Sequence, residues 1–349
     1  MSGNSFGSSF RLTTFGESHG SHIGGIIEGC PAGLPFHLEW IERDMLRRKP
    51  GQNAITTQRK ENDFVEIISG VFENTTLGTP IAFIIKNEDK KSSDYDSLKD
   101  IFRPGHADET WQKKYGIRDH RGGGRSSARE TAARVAGGAI AKMLLHMHGI
   151  EILAWVSSIA EHTASVEPKD ISIEMIESNA VRCPDPIIAQ QMISAIEEAR
   201  NKQDSLGGYI TCICKGMPAG IGEPVFNKLP ALLAHAMMSI PAARSFESDG
   251  GAEHIAMKGS LGNQIQQGSS GGISTGEDYI MRIGFKPVSS IAQMQRMKTT
   301  SGEFRDMQIQ GRHDPCVLPR AVPIVEAMAA LVIADLWLQN NALSLRGKA

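Results

Sequence analysis

The chain has 349 residues, 40% apolar and 22% charged, with 37 basic against 39 acidic side chains and a formal net charge of −2. That composition excludes a disordered chain, and the near balance of charge excludes the global basic field that gathers nucleic acid or an anionic membrane. Any anion site must be built locally, from clustered arginines.

Five cysteines (Cys30, Cys183, Cys212, Cys214 and Cys316) are odd in number and scattered, which argues for a reducing compartment and against a disulfide framework. Cys212 and Cys214 lie two apart in a strand-like run and read as small core residues, not metal ligands. Met1 to Arg11 has no apolar stretch of signal-peptide type, and the longest apolar run, Ala327 to Ala334, is far short of the roughly 20 residues of a membrane span. The expectation is a soluble, cytoplasmic protein.

In chain order, periodicity predicts a strand at Ile23–Gly29, an amphipathic helix at Leu38–Arg48, strands at Phe64–Ser69 and Ile81–Lys86, and a polar loop over Asn87–Asp100. A long helix is expected at Ser127–His148, then a strand near Ile150–Ser157. Helix Ile187–Asn201, strand Tyr209–Cys214, helix Asn227–Ser239 and strand Ile280–Phe285 follow. A helix at Pro323–Gln339 closes the chain, with Pro323 in its first turn. Strands and helices interleave without regular βαβ units, so the expectation is one continuous α+β domain over residues 1–349.

The most informative stretch is Arg121-Gly122-Gly123-Gly124-Arg125-Ser126-Ser127-Ala128-Arg129-Glu130-Thr131. Ser127 and Glu130 have capping-box spacing, so a helix should start at Ser127 and offer free N–H groups and a partial positive charge. The glycines would let backbone approach a phosphate, and Arg125, Arg129 and Arg134 would add charge-assisted donors. Neither a P-loop nor a dinucleotide fingerprint is present. His19 stands in Gly16-Glu17-Ser18-His19-Gly20, His106 in Arg103-Pro104-Gly105-His106-Ala107-Asp108, and Asp314 in Gly311-Arg312-His313-Asp314-Pro315-Cys316. Histidines in glycine-flanked turns are suited to proton transfer near neutrality, but each alone is more often structural or merely exposed. His22, His120, His146, His148 and His313 read as structural. Gly16 to Gly20 also fits the nucleophile elbow of hydrolases, yet too little chain precedes Ser18 to build the sheet such an elbow crowns.

Together with Thr57-Gln58-Arg59-Lys60-Glu61 and Lys286-Pro287-Val288-Ser289-Ser290, these segments resemble the signatures of the chorismate synthase family, in the right order from about Asn4 to about Trp337. The resemblance implies a β-α-β sandwich, a homotetramer, and a 1,4-elimination of phosphate from 5-enolpyruvylshikimate 3-phosphate that requires reduced FMN. It implies that His19 protonates the departing phosphate, that His106 governs protonation near the flavin, and that Asp314 helps remove the C6 proton by way of flavin N5. Arg48, Arg103, Arg129 and Arg134 match substrate-binding positions. Arg125, Ser126, Ser127, Ala242, Gly271, Lys286, Pro287, Val288, Ser289, Ser290 and Arg312 match flavin-binding ones.

Three positions depart from the family pattern. Pro241, where asparagine is usual, removes a backbone donor beside the flavin. The loop from Ser260 to Gly271 is short. Ala54 stands where an arginine assigned to NADPH or substrate is common. Ala54 points to a lyase that relies on an external source of reduced flavin. A flavoprotein oxidoreductase that reduces its own flavin with NADPH, and a non-catalytic phosphate-binding paralogue, are the alternatives. No metal is implied.

Overall fold

The computed structural model describes residues 3–52, 62–88, 97–309 and 314–343. Ala54, the Thr57 to Glu61 segment, much of the loop after Asn87, and Gly311, Arg312 and His313 lie outside them. Strands β1 (Ser5–Phe6), β2 (Arg11–Phe15) and β3 (His22–Glu28) lead to helix α1 (Leu38–Arg48). Strand β4 (Val65–Ser69), the hairpin β5 (Val71–Phe72) and β6 (Thr75–Thr76), and β7 (Ile81–Lys86) follow. These form an antiparallel sheet in the order β1-β2-β3-β7-β4.

Strand β8 (Ile101–Phe102) and helix α2 (Asp108–Tyr115) precede the long helix α3 (Thr131–His146). Strands β9 (Glu151–Ile159) and β10 (His162–Thr163) and helices α4 (Ile173–Ile176) and α5 (Pro186–Asn201) come next. Then follow β11 (Gly208–Lys215), α6 (Leu229–Met238), β12 (Ala243–Ser248) and the short helices α7 (Gly251–Ile255) and α8 (Gly259–Gly262). Strands β13 (Ser269–Ser270), β14 (Ile273–Ser274), β15 (Tyr279–Phe285), β16 (Met294–Thr299) and β17 (Phe304–Gln308) and helix α9 (Leu318–Leu343) complete the fold. The second large antiparallel sheet runs β10-β9-β11-β15-β12, and β17-β16-β8 make a small one.

Helices α3 and α9 pack on each other between the two five-stranded sheets, giving a β-α-β sandwich of the α+β class. One hydrophobic core runs through all three layers, from Ile23 and Phe83 in the first sheet, through Ile140 and Leu331, to Val156 and Ile210 in the second. The sequence of α3, rich in alanine with Gly137 and Gly138 at its middle, makes this possible. A methyl added at Gly138 would lie 2.3 Å from Ala327 Cβ, so only glycine lets α3 and α9 cross this closely. Two glycines in mid-helix cost about 1 kcal/mol each relative to alanine, which the burial of both helices offsets. Strand β9 is buried along nearly its whole length because Ile152, Ala154 and Val156 join the main core while Leu153 and Trp155 pack on Ile171 and Ile176. Cys212 and Cys214 are fully buried in β11.

The structure corrects several expectations. Helix α9 starts at Leu318, so Pro319 takes the first-turn position and Pro323 lies inside the helix. By length and apolar content α9 would qualify as a membrane span, but 89% of its most apolar stretch is buried inside the fold, as expected of a core helix. The long helix proper begins at Thr131. Before it Ala128–Glu130 form a 3-10 turn whose N-cap Ser127 accepts from the Arg129 N–H. Glu130 does not complete a capping box, because its carboxylate accepts from Arg134 Nε at 2.8 Å. Strands β2, β12, β16 and β17 and helix α2 were not legible. They are short, β17 is largely exposed and β16 buries only Met297 and Thr299, so apolar periodicity is weak there.

Candidate active site

The glycine-rich loop sits between two histidines. Gly122, Gly123 and Gly124 all have positive φ, at +63°, +86° and +55°. A methyl at Gly122 would lie 2.6 Å from the His19 ring, and one at Gly123 would lie 2.7 Å from His106. The glycines therefore make room for the protein's own side chains, and not only for an incoming phosphate. The backbone donors expected to face an anion are mostly consumed in the turn. Ser126 N–H donates to Gly123 O at 3.0 Å, Ser127 N–H to Gly124 O, and Glu130 N–H to Ser127 O. Anion binding falls instead to side chains.

Those side chains converge on one cavity of about 440 Å³, within the ~300–1,000 Å³ usual for small-molecule sites. Arg48, at the end of α1, and Arg129, from the turn before α3, both grip Asp63. The Arg48 Nη2 to Asp63 Oδ2 distance is 2.5 Å, and Arg129 Nη1 donates to Oδ1. Burial alone would raise the Asp63 carboxyl, but the two guanidinium groups outweigh it and hold it at about 2. Arg48 is 2% exposed, and its Nε is a buried donor without a partner among the described residues. Burial pulls its pKa down, opposed by Asp63. Arg129 Nε also donates to Asn87 Oδ1 at 2.8 Å, and the Asn87 amide donates to the carbonyls of Glu17 and Gly20, fixing the loop that carries His19.

On the opposite side of the glycine loop, Arg103 is bidentate to Asp108, with Nε to Oδ2 at 2.8 Å and Nη2 to Oδ1 at 2.9 Å. His106 Nδ1 lies 2.9 Å from the same Oδ1. Lys286 Nζ donates to Gly105 O at 3.0 Å and Ser289 Oγ at 2.8 Å, tying the end of β15 to the His106 turn. Burial lowers the Lys286 pKa, and Arg244 nearby lowers it further. Asp314 lines the cavity and accepts from Arg320 Nη1, while Arg320 Nε donates to the Arg48 carbonyl at 3.1 Å. Ile240, Val317, Ala321 and Ile324 supply apolar lining.

Of the residues singled out from sequence, Arg48, Arg103, His106, Ser126, Ser127, Arg129, Pro241, Ala242, Lys286, Pro287, Val288, Ser289, Ser290 and Asp314 line this cavity. His19 stands behind Gly122, which lines it. Three others are held elsewhere. Arg125 turns back onto the N-terminal strands, with Nη2 donating to Thr14 Oγ1 at 2.6 Å and Asn4 Oδ1 at 3.1 Å. Arg134 is engaged by Glu130 and by Ser239 Oγ at 2.7 Å. Gly271, in the β13–β14 turn, faces open space. Sequence reading missed Arg244, Arg320, Asp63 and Asp108. Asp108 closes the Arg103 to Asp108 motif and was visible there; Asp63 carries no local signal. His146 and His148 pack against Trp40 and Trp337, away from the cavity. Among the described residues, no three His, Cys, Asp or Glu side chains gather to hold a metal.

A sandwich holding a cation-lined cavity, flanked by two histidines and an ion-paired aspartate, has the form of an enzyme site suited to a small polyanion. The comparisons with known proteins agree. A family model described as chorismate synthase matches residues 10–338. The chorismate synthase of Christiangramia forsetii is 52% identical over 98% of this chain and 99% of its own. That of Synechocystis sp. is 51% identical over 97% and 98%. A crystal structure of a chorismate synthase superposes with a TM-score of 0.71 at 29% identity, covering 96% of this chain and 93% of the other. The chain belongs to the chorismate synthase family, the phosphate-eliminating lyases of the shikimate pathway.

Proposed function

We propose that the chain eliminates phosphate from 5-enolpyruvylshikimate 3-phosphate to give chorismate, with reduced FMN as cofactor. The substrate carries two carboxylates and a phosphate, and the cavity offers Arg48, Arg103, Arg129, Arg244, Arg320 and Lys286. The buried, unpartnered Nε of Arg48 carries this reading, because a buried donor left unpaired costs about 1–3 kcal/mol unless a ligand satisfies it. The apolar lining from Ile240, Val317 and Ile324, beside Lys286 and Arg244, also suits a flat ring system with an anionic tail.

Ser126, Ser127, Ala242 and Lys286 to Ser290 would hold the flavin, with Arg125, Gly271 and Arg312 added by the family resemblance. Pro241 offers only its ring and carbonyl there. Held there, reduced flavin would supply electron density to the allylic system with no net redox change. His19 gives a proton to the departing phosphate. His106 holds a proton beside the ring system. Asp314, steadied by Arg320, receives the C6 proton. Arg48, Arg103 and Arg129 bind the substrate anions, and Arg134 supports them from behind Glu130.

We further read the chain as one domain forming a homotetramer in the cytoplasm, supplied with reduced flavin by other proteins. Anaerobic turnover with chemically reduced FMN tests this reading. Chorismate with reduced FMN, and none with oxidised FMN plus NADPH, is the expected result. Chorismate in both mixtures would establish self-reduction of the flavin; chorismate in neither would overturn the assignment.

A further inference from the structure

We propose that Asp108 is a positioning residue for His106: it fixes the proton on Nδ1 and so presents Nε2 as the working nitrogen of the site. This rests on the catalytic reading of His106 given above.

Three atoms form a near-equilateral triangle. Arg103 Nη2 and His106 Nδ1 each lie 2.9 Å from Asp108 Oδ1, and 3.0 Å from one another. Two hydrogen-bonding assignments compete at Nδ1. In one, Arg103 donates to it; in the other, it donates to Asp108. The arrangement of charge decides. Arg103 already has Oδ1 and Oδ2 as bidentate acceptors, so it has no need of Nδ1. An ionised carboxylate oxygen accepts from two donors at once, and a charged acceptor strengthens each bond. The short Nη2 to Nδ1 distance is then the consequence of two donors meeting on one oxygen. Asp108 is 4% exposed and held far below the usual carboxylate range by its bonds to Arg103 and His106, against the opposing effect of burial. It stays an acceptor throughout the physiological range.

Among the described residues Nε2 of His106 has no hydrogen-bond partner, and the ring lines the cavity. Because Nδ1 carries the proton in the neutral ring, Nε2 takes up and gives back the exchangeable one. The charged groups that bear on this ring are Arg103 and Asp108 from its own turn, Arg118 beyond Asp108, and Lys286, whose Nζ touches the Gly105 carbonyl. Glu17 and His19 lie across the glycine loop. Asp108 is the one carboxylate among them in direct contact with the imidazole. Arg103 gains from the same clamp: its guanidinium is fixed without consuming Nη1, which remains for a substrate anion.

The test is nitrogen NMR of the ligand-free protein, labelled at histidine, with His106→Gln to assign the resonance. The expected spectrum at pH 8 shows a protonated Nδ1 and a bare Nε2 for His106. Asp108→Asn should shift the population toward Nε2–H, because the amide donates to Nδ1. The kcat of Asp108→Asn should fall on the order of 10²-fold, with the basic limb of the pH profile displaced and KM changed far less. An Nε2–H tautomer in the wild type would overturn the proposal, whether or not the chain makes chorismate. So would an Asp108→Asn variant that folds, loses activity and keeps the wild-type His106 spectrum and pH profile. If Asp108→Asn does not fold, Arg103→Lys serves instead, and it should leave the Nδ1–H tautomer in place.

Discussion

Two groups of charge, each with a buried centre, begin at neighbouring residues of α1, and they are built to opposite ends. Toward the core, Arg47, Lys142 and Arg182 meet Asp44, Glu177 and Glu326. Arg47 is bidentate to Glu326 at 2.6 and 2.9 Å, Lys142 bridges Asp44 and Glu326 at 2.8 and 2.7 Å, and Glu326 also accepts from the Ala154 N–H. Three cations face three carboxylates there, and Arg43, half exposed, adds a pair with Asp44 at 3.3 Å. Toward the cavity, Arg48, Arg103, Arg129, Arg244, Arg320 and Lys286 meet only Asp63, Asp108 and Asp314 among the described residues. Neighbouring residues of α1, Arg47 and Arg48, thus belong to different devices. A balanced buried network joins helices to a sheet. An unbalanced one keeps a positive excess, and one orphaned donor, for a ligand that brings the missing negative charge.

The largest effect expected from this contrast is on stability. Glu326→Gln should cost about 3–5 kcal/mol, because Arg47 and Lys142 lose their common partner in the core. At roughly 2–4 °C per kcal/mol, Tm should drop by about 10 °C in calorimetry. An unchanged Tm with a raised KM would erase the distinction between the two clusters. Arg129→Ala should do the reverse. It should raise KM for the substrate by about 10- to 100-fold, as for the loss of a charge-assisted contact, with a smaller loss of stability because Arg48 still pairs Asp63. Unaltered substrate affinity would remove Arg129 from the binding set.

Acid should reveal the core cluster next. Burial raises the Glu326 carboxyl, but Arg47 and Lys142 bring it down to about 2. A carboxyl depressed in the folded state contributes stability that is complete above its unfolded value, about 4.3, and is lost as pH falls through its folded value. Urea midpoints should therefore decline between about pH 4.5 and pH 2, with Asp63 adding to the same slope. Glu326→Gln should flatten that decline; an equally steep one would show that other carboxylates govern it. Salt should give the smallest effect. Raising ionic strength from about 0.1 to 1 M shortens screening from about 10 to 3 Å, so KM should rise several-fold. The contribution of Glu326 to Tm should hardly change, since its partners are buried with it.

The periodic elements were legible because a helix or strand with one buried stripe writes that stripe into the chain. Helix α1 and strand β7 appear where the pattern put them. Helix α9 was read short at its start because Pro323 looks like a first-turn proline, while the helix begins at Leu318 and carries Pro323 inside it. The histidines and the arginine-rich loop were legible because glycine-bordered motifs stand out locally. What glycine did there was not: Gly122 and Gly123 give way to His19 and His106, residues far from the loop in sequence.

By itself, the sequence determined the class of fold, the family signatures and the need for a local anion site in a nearly neutral chain. Those are properties of composition, periodicity and contiguous motifs. Tertiary structure alone decided which arginines share the cavity and which are engaged elsewhere, and it brought in Asp63, Arg244 and Arg320. It also set Asp108 against the Nδ1 of His106. All but the last depend on distances between segments, and a charge's partner across the fold is not written in the residues beside it; Asp108 and His106 share one motif, and only the fold of its turn sets their contact.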